Sequence, residues 1–425
     1  MPRTKAIHLV ISIITIYFII IFITTEKPVS LQNQPKTILV WRRPFLGFEE
    51  EFTSKYNNLV CQKNSDCNLI VSENFFGPSE TQIAQADAIV FHPLWGGAPH
   101  YNSRLRKWSE QGKMLIFAQW ESPGNDQNRL DLKRFDGLID ATLSYRTDST
   151  FFTPYSALAF AKYKVFKENN AENLPPSQFN IDETYRQKIK TVLEAKQRGV
   201  VAVISNCQAK TRAEIVKKLD QLVKLKNEKN IDIYGRCSDE FQPIKSKNRL
   251  PEPSRDRTAR NDKSFHDFVS KYQFIIAIEN SNCTDYITEK VFNNAFVAGT
   301  VPIVYGQSKS TYRKLLPESS FLDIADYDSV DKVAEAINFY AENHGQYRKD
   351  FFSWLEKKDQ QVLLENFSET DDNYGFCAVC QALKSKKQLK KIPSLHAWWY
   401  DEGHCERIES SNLWNRFFVK YIKSF

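Results

Sequence analysis

The segment Phe274–Gln307, FIIAIENSNCTDYITEKVFNNAFVAGTVPIVYGQ, constrains this chain more than any other. It reads as a buried strand, a polar loop, a helix beginning near Glu289 and a second buried strand. An apolar run that ends in an acid and an amide, with a helix just beyond, gathers polar side chains at the carboxyl end of a parallel strand. Open α/β sheets bind their ligands there. The loop carries Glu279, Asn280, Asp285, Tyr286, Glu289 and Lys290. Backbone N–H groups at the helix start present a partial positive charge suited to a phosphate. Lys290, in the first turn, adds a full one. Asp285 is read as the N-cap of that helix.

The same alternation recurs along the chain. Strands are expected at 38–41, 86–92 and 113–120, with a helix over 103–112 that starts on Ser103 and is closed by Gly112. A polar stretch with a Pro-Pro step, 167–181, reads as a connection. After it come a helix (182–198), a strand (200–205) whose unbroken apolar run suits burial on both faces, a helix (211–227), a strand (231–235), a short helix ending at Tyr272, and an amphipathic helix over 328–343. The pattern predicts two α/β domains with parallel sheets, residues 37–180 and 181–365, followed by a Cys-containing segment, 366–425. The dinucleotide fingerprint G-x-G-x-x-G and the phosphate loop G-x-x-x-x-G-K-[ST] are both absent, which removes the main support for dehydrogenase and kinase readings.

Residues 6–25 (AIHLVISIITIYFIIIFITT) hold no charge apart from His8 when protonated. As a helix they span roughly 30 Å, enough for a bilayer core. Arg3 and Lys5 precede them, so the positive-inside rule keeps residues 1–5 cytosolic and sends the rest to the lumen. Residues 26–36, with two prolines, form a short stem. A cleaved signal peptide is disfavoured because no small-x-small site follows. A luminal compartment is oxidising, so the eight cysteines are expected in disulfides. The C-x-x-C at Cys377–Cys380 lacks the second pair that a zinc site needs. A net charge of +7 suits an anionic small-molecule substrate, and no nucleic-acid-binding motif accompanies it. Asn282 and Asn366 stand in glycosylation sequons. A glycan on Asn282 would crowd the polar loop around it, so this site is expected to be unoccupied or splayed outward.

AIENSNCTDYITEKV (277–291) followed by AGTVPIVY (298–305) resembles the donor-binding motif of the α1,3-fucosyltransferase family. Supporting matches occur in the family's order at 120–124 (WESPG), 143–155 (LSYRTDSTFFTPY), 203–207 (VISNC), 233–238 (IYGRCS) and 376–383 (FCAVCQAL), so the likeness covers roughly residues 85 to 385. It implies a type II Golgi membrane protein with a GT-B fold, two nucleotide-fold domains facing each other across a cleft. It further implies transfer of L-fucose from GDP-fucose to a GlcNAc hydroxyl of a glycan, with inversion. The variants at 205–207 and 279–282 look more like the core-modifying branch than the Lewis-antigen branch, so a GlcNAc of the N-glycan core is favoured over outer antennae.

Inverting transfer needs a base for the acceptor hydroxyl and positive charge for the departing diphosphate. Glu121 follows a strand and precedes Ser122-Pro123, in the motif that holds the family's proposed base. Arg212 and Lys290, each at a helix start after a strand, are expected at the diphosphate, with Lys210 a competitor for Arg212. The resemblance places Glu289, Asn280, Tyr286, Tyr155, Ser205 and Asn206 on the donor. Ser156 replaces the family's glycine. By the same resemblance Cys61 and Cys67 bridge to Cys377 and Cys380. A pairing of Cys207 with Cys237 is a guess from their positions after two strands, and Cys283 and Cys405 are unassigned. No cofactor is required. A divalent metal is not implied, because the nearest Asp-x-Asp, Asp326-Tyr327-Asp328, reads as the start of the following helix.

Overall fold

The computed structural model describes residues 35–41, 58–59, 67–72, 77–92, 101–126, 130–156, 159, 163, 183–196, 198–206, 209–224, 231–235, 237, 263–355, 375–386 and 388–405. The apolar segment 6–25, most of the stem, the connection 167–181, Cys61, Cys207 and Asn366 lie outside these residues. Among the described residues no helix is long and apolar enough to cross a membrane.

Two sheets organise the chain. The first contains β1 (Lys36–Trp41), β2 (Asn58–Leu59), β3 (Cys67–Ser72), β4 (Ala88–Phe91), β5 (Met114–Gln119), β6 (Ala141–Ser144) and β7 (Phe151–Phe152), in the order β2-β3-β1-β4-β5-β6-β7. From β1 to β7 the pairs are parallel, and β2 runs antiparallel to β3. The helices α1 (Glu80–Gln85) and α2 (Tyr101–Glu110) belong to this half. Strand residues alternate between two cores, as the period of two requires. Leu39, Ile89, Leu115 and Phe117 pack with Leu105 and Trp108 of α2, whereas Ile38, Val40, Val90 and Ile116 face the other way.

The second sheet is wholly parallel. After α3 (Glu183–Ala195) come β8 (Arg198–Val203), α4 (Lys210–Leu222), β9 (Asp232–Tyr234), α5 (Lys263–Val269) and β10 (Tyr272–Ile276). A short α6 (Glu289–Val291) runs into a π-helical turn, Phe292–Phe296, and β11 (Val301–Val304) follows. Then come α7 (Lys309–Leu315), β12 (Leu322–Asp323), α8 (Val330–Glu342) and α9 (His344–Phe352). The order β12-β11-β10-β8-β9 shows the chain building outward from β8 to β9, then reversing across β8 to lay down β10. The crevice between the carboxyl ends of β8 and β10 is therefore a topological switch point.

Several sequence expectations shift in detail. The helix predicted over 182–198 ends at Ala195, because Arg198 already pairs with Tyr272 in the sheet. That same pairing starts β10 two residues before Phe274. The helix after β8 ends at Leu222, short of Asn227. Neither Asp285 nor Asp328 is a cap: Thr288 caps α6, accepting from Lys290 N, and Ser329 caps α8, accepting from Lys332 N. Asp326, the first aspartate of the Asp-x-Asp, forms an ion pair with Lys309 instead.

The chain's later part covers the first sheet. Helix α10 (Gly375–Lys384) buries Phe376, Val379 and Cys380 against Val40, Val90 and Ile116, and Cys380 is bonded to Cys67 on β3. Cys377 and Cys237 are disulfide-bonded as well; their expected partners, Cys61 and Cys207, are outside the described residues. Beyond α10, Ile392 N donates to Ile139 O at 2.8 Å and the Asp136 carboxylate accepts from Leu395 N at 2.8 Å. The π-helical turn Ala397–Asp401 then sets Trp399 against Phe117 and Tyr145, with ring centroids 5.7 and 6.0 Å apart. Cys405 is bonded to Cys283, a pair the sequence left unassigned.

Candidate active site

Where β5 ends, one side-chain oxygen fixes the exit of the chain. Gln119 Oε1 accepts from Trp120 N (3.1 Å), Glu121 N (3.1 Å) and His92 Nε2 (2.9 Å). Because this oxygen already accepts two backbone N–H groups, it is the carbonyl end of the amide, and His92 carries its proton on Nε2. Trp120 is held on both sides: its indole donates to Thr153 O at 3.1 Å, and its carbonyl accepts from Tyr155 at 2.5 Å. Glu121 emerges from this frame half-buried.

The Glu121 carboxylate meets the opposite half of the molecule. Its Oε1 accepts from the Tyr286 hydroxyl at 2.5 Å, from Ser122 N at 3.2 Å and, more weakly, from Asn280 Nδ2 at 3.5 Å. Ser122 Oγ and Ser281 Oγ are hydrogen-bonded across the same seam. The approach is close enough that a Cβ on Gly124 would stand 2.9 Å from Ser281 Cβ and 3.2 Å from Cys283 Sγ, so only glycine fits. Tyr145, Tyr155 and Tyr286 cluster beside Glu121, with centroids 5.0 to 6.4 Å apart. Burial, above all, pushes all three phenols well above their ordinary value, and the nearby Glu121 charge adds to it. They remain protonated donors at physiological pH.

The loop that supplies Asn280 and Tyr286 is pinned from several directions. Asp285 takes the left-handed conformation, φ 60°, and its Oδ2 accepts from Thr147 N (2.9 Å) and Thr147 Oγ1 (2.6 Å). Thr284 N donates to Gly403 O at 2.8 Å, beside the Cys283–Cys405 bond. Gln307 Nε2 donates to Cys283 O at 2.8 Å. Asn282 sits between Gln307 and Gly306, where a glycine Cβ would meet it at 3.2 Å.

At the switch point, Arg212 leaves the first turn of α4 and crosses from β8 to β10. Its guanidinium donates to Asn206 O at 2.5 Å and to Ile278 O at 3.3 Å. The side chain is buried, and that burial pulls its pKa below the ordinary value against the opposing charge of Glu279. Ser205 and Asn206, directly after β8, are half-buried. Lys290 lies across the crevice. Its ammonium contacts Glu279 Oε2 (2.8 Å), Thr288 Oγ1 (2.9 Å) and Glu289 Oε1 (3.3 Å). Burial opposes that charge, yet the two carboxylates outweigh it and hold the lysine above its usual range. Glu279 is itself raised by burial, against the pull of Lys290.

The structure thus brings Glu121, Asn280 and Tyr286 together, and separately gathers Arg212, Asn206, Lys290 and Glu289 at the β8–β10 crevice. Tyr155 supports the first group through Trp120. Glu279 was legible only as one acid in a polar loop. Its role as the anchor of Lys290 and Thr288 depends on a nine-residue return of the chain that no spacing rule reveals. Asp285 and the Cys283–Cys405 bond were missed because their partners are distant in sequence.

Open parallel sheets with polar groups at their carboxyl ends define an α/β enzyme that binds its ligand across strand ends. Two family descriptions match this chain: "Fucosyltransferase, N-terminal" over residues 33–156, and "Glycosyltransferase family 10 (fucosyltransferase) C-term" over residues 193–398. The chain belongs to glycosyltransferase family 10, the fucosyltransferases. It is similar to rat alpha-(1,3)-fucosyltransferase 7, with 28% identity over 85% of this chain and 79% of that protein. Human 4-galactosyl-N-acetylglucosaminide 3-alpha-L-fucosyltransferase FUT5 is 28% identical over 79% of this chain and 73% of its own. The 3-galactosyl-N-acetylglucosaminide 4-alpha-L-fucosyltransferase FUT3 of Pongo pygmaeus is also 28% identical, over the same shares of the two chains.

Proposed function

We propose that this enzyme is an α1,3-fucosyltransferase that moves L-fucose from GDP-fucose onto a GlcNAc hydroxyl of N-glycans, with inversion, in a GT-B arrangement. Glu121 is the base. Its Oε1 is committed to Tyr286 and Ser122 N, which leaves Oε2 to take the acceptor proton as the hydroxyl attacks the anomeric carbon. Arg212 and Lys290 stabilise the diphosphate as it leaves, at a switch point that adds the N-terminal dipoles of two helices. Glu289 accepts from donor hydroxyls, and Ser205, Asn206 and Tyr155 line the donor side. The chemistry needs no metal, because two cationic side chains occupy the role of an ion. The observation that carries this reading is the strand-end glutamate held across the seam by the very loop that carries Lys290.

Two acceptor contexts have separate support. The motif variants at 205–207 and 279–282 favour a core GlcNAc. The names of the similar enzymes, which describe galactosyl-N-acetylglucosaminides, favour outer antennae. The apolar segment 6–25 supports anchoring as a single-pass type II Golgi protein with a luminal catalytic part. Incubating the luminal fragment with GDP-fucose and a panel of core-only and antennary glycans, followed by linkage analysis, tests the whole reading. Transfer to neither type, or inhibition by UDP and not by GDP, removes it.

A further inference from the structure

We propose that Tyr286 is a positioning residue for the base: its hydroxyl, delivered from the second half of the molecule, holds Glu121 Oε1 and keeps that carboxylate aimed before any substrate arrives. This rests on the reading of Glu121 as base. Four observations carry it. The Tyr286 O–H donates to Glu121 Oε1 at 2.5 Å, a short charge-assisted hydrogen bond. Tyr286 is 2% exposed, so its hydroxyl is screened from the solvent that would otherwise compete. Its ring is clamped by Tyr145 at 5.0 Å and Tyr155 at 6.4 Å. Its backbone is fixed without a ligand, through Asp285 on Thr147 and through Cys283 on Cys405. A donor so placed has its orientation set by the protein alone, which is what electrostatic preorganisation requires.

The charged and titratable groups around Glu121 come from several elements. Tyr155 follows β7, Tyr145 follows β6 with Arg146 and Asp285 close by, and His92 follows β4, reaching Glu121 through Gln119. Glu279 and Glu289 act on the tyrosine cluster from the donor loop. A hydrogen bond to an ionised carboxylate lowers its pKa, and its loss raises it. Tyr286→Phe removes one oxygen and keeps the ring, and every other neighbour stays in place. The comparison with the parent enzyme therefore isolates this one bond, and His92 contributes equally to both profiles.

The test uses the full luminal enzyme with GDP-fucose and a glycan acceptor, reading kcat/KM against pH, with GDP affinity measured by calorimetry. The expected result for Tyr286→Phe is a GDP affinity within about twofold of the parent and a kcat lowered about tenfold. The acid limb of the profile moves up by about one pH unit, the size expected for losing a hydrogen bond to a charged group. Glu121→Gln, measured alongside, should lose about 1,000-fold in turnover, and what remains should show no acid limb. A Tyr286→Phe profile that is lower but unmoved on the pH axis overturns the positioning role while Glu121 stands. An active Glu121→Gln enzyme removes the base reading and this proposal together.

Discussion

Glu121 and Glu279 occupy equivalent places in two sheets and have opposite surroundings. Each follows a central parallel strand within a few residues, and each faces the seam. Glu279 is engaged on both oxygens: the Thr288 hydroxyl bridges them with one shared proton, Oε1 also takes Thr288 N at 2.9 Å, and Oε2 takes the Lys290 ammonium at 2.8 Å. Glu121 is half-buried, and its contacts converge on Oε1. A carboxylate with donors on both oxygens, one of them an ammonium, fixes a cation and shapes a loop and leaves no open oxygen for an incoming hydroxyl. Sharing a strand-end address therefore does not assign a role; the distribution of donors over the two oxygens does.

That contrast can be broken most directly by neutralising each acid in turn. Glu121→Gln should cut turnover about 1,000-fold with GDP affinity and unfolding midpoint kept, as befits loss of a general base. Steady-state transfer and thermal unfolding measure the two quantities. Glu279→Ala should produce the reverse signature. Losing the nearer of its two carboxylates leaves Lys290 with Glu289 alone, costing about 2 kcal/mol in urea unfolding. GDP affinity should weaken as the lysine swings. If Glu279→Ala instead loses turnover and nothing else, the distinction between the two acids fails. Cys405→Ser tests the support of the loop between them. Losing that bond should cost about 2 kcal/mol of stability, and kcat should fall further than KM rises, because the loop positions groups on both sides.

The smallest expected effect concerns a buried cation with no acidic partner among the described residues. Lys196 Nζ donates to Tyr272 O at 2.6 Å, Ser270 O at 3.1 Å and Thr300 Oγ1 at 3.3 Å. Burial lowers its pKa to about 7. From there up to the ordinary lysine range, the unfolded chain holds a proton that the folded one lacks, so stability rises with pH across that window and this group's penalty is full below it. Urea unfolding at pH 6.5 and pH 9 should show a shallower slope for Lys196→Met than for the parent.

Much of this was readable from the residues. Continuous apolar runs announced the central strands, because parallel strands covered on both faces leave no room for alternation. Glu121 and Lys290 stood out as candidates because each follows such a run. What stayed hidden depends on chain returns. β6, with the sequence ATLS, is too short and too mixed to announce itself, and it is a strand because β5 supplies its partner from Ile116 to Gln119. Asp285 looked like a helix cap on local grounds, yet Thr147, 138 positions away, claims its carboxylate. Tyr286 matched a donor contact by motif, and its commitment to Glu121 spans 165 positions.

The bond between Cys283 and Cys405 has a consequence for synthesis. The two residues are 122 positions apart, so the loop leaves the ribosome long before the sulfur that will secure it. Both sheets can assemble while this tether is still missing. A nascent polypeptide halted between positions 290 and 405 would own every catalytic candidate and lack the last clasp that steadies them, which makes release of a nearly full-length product a precondition for a mature enzyme.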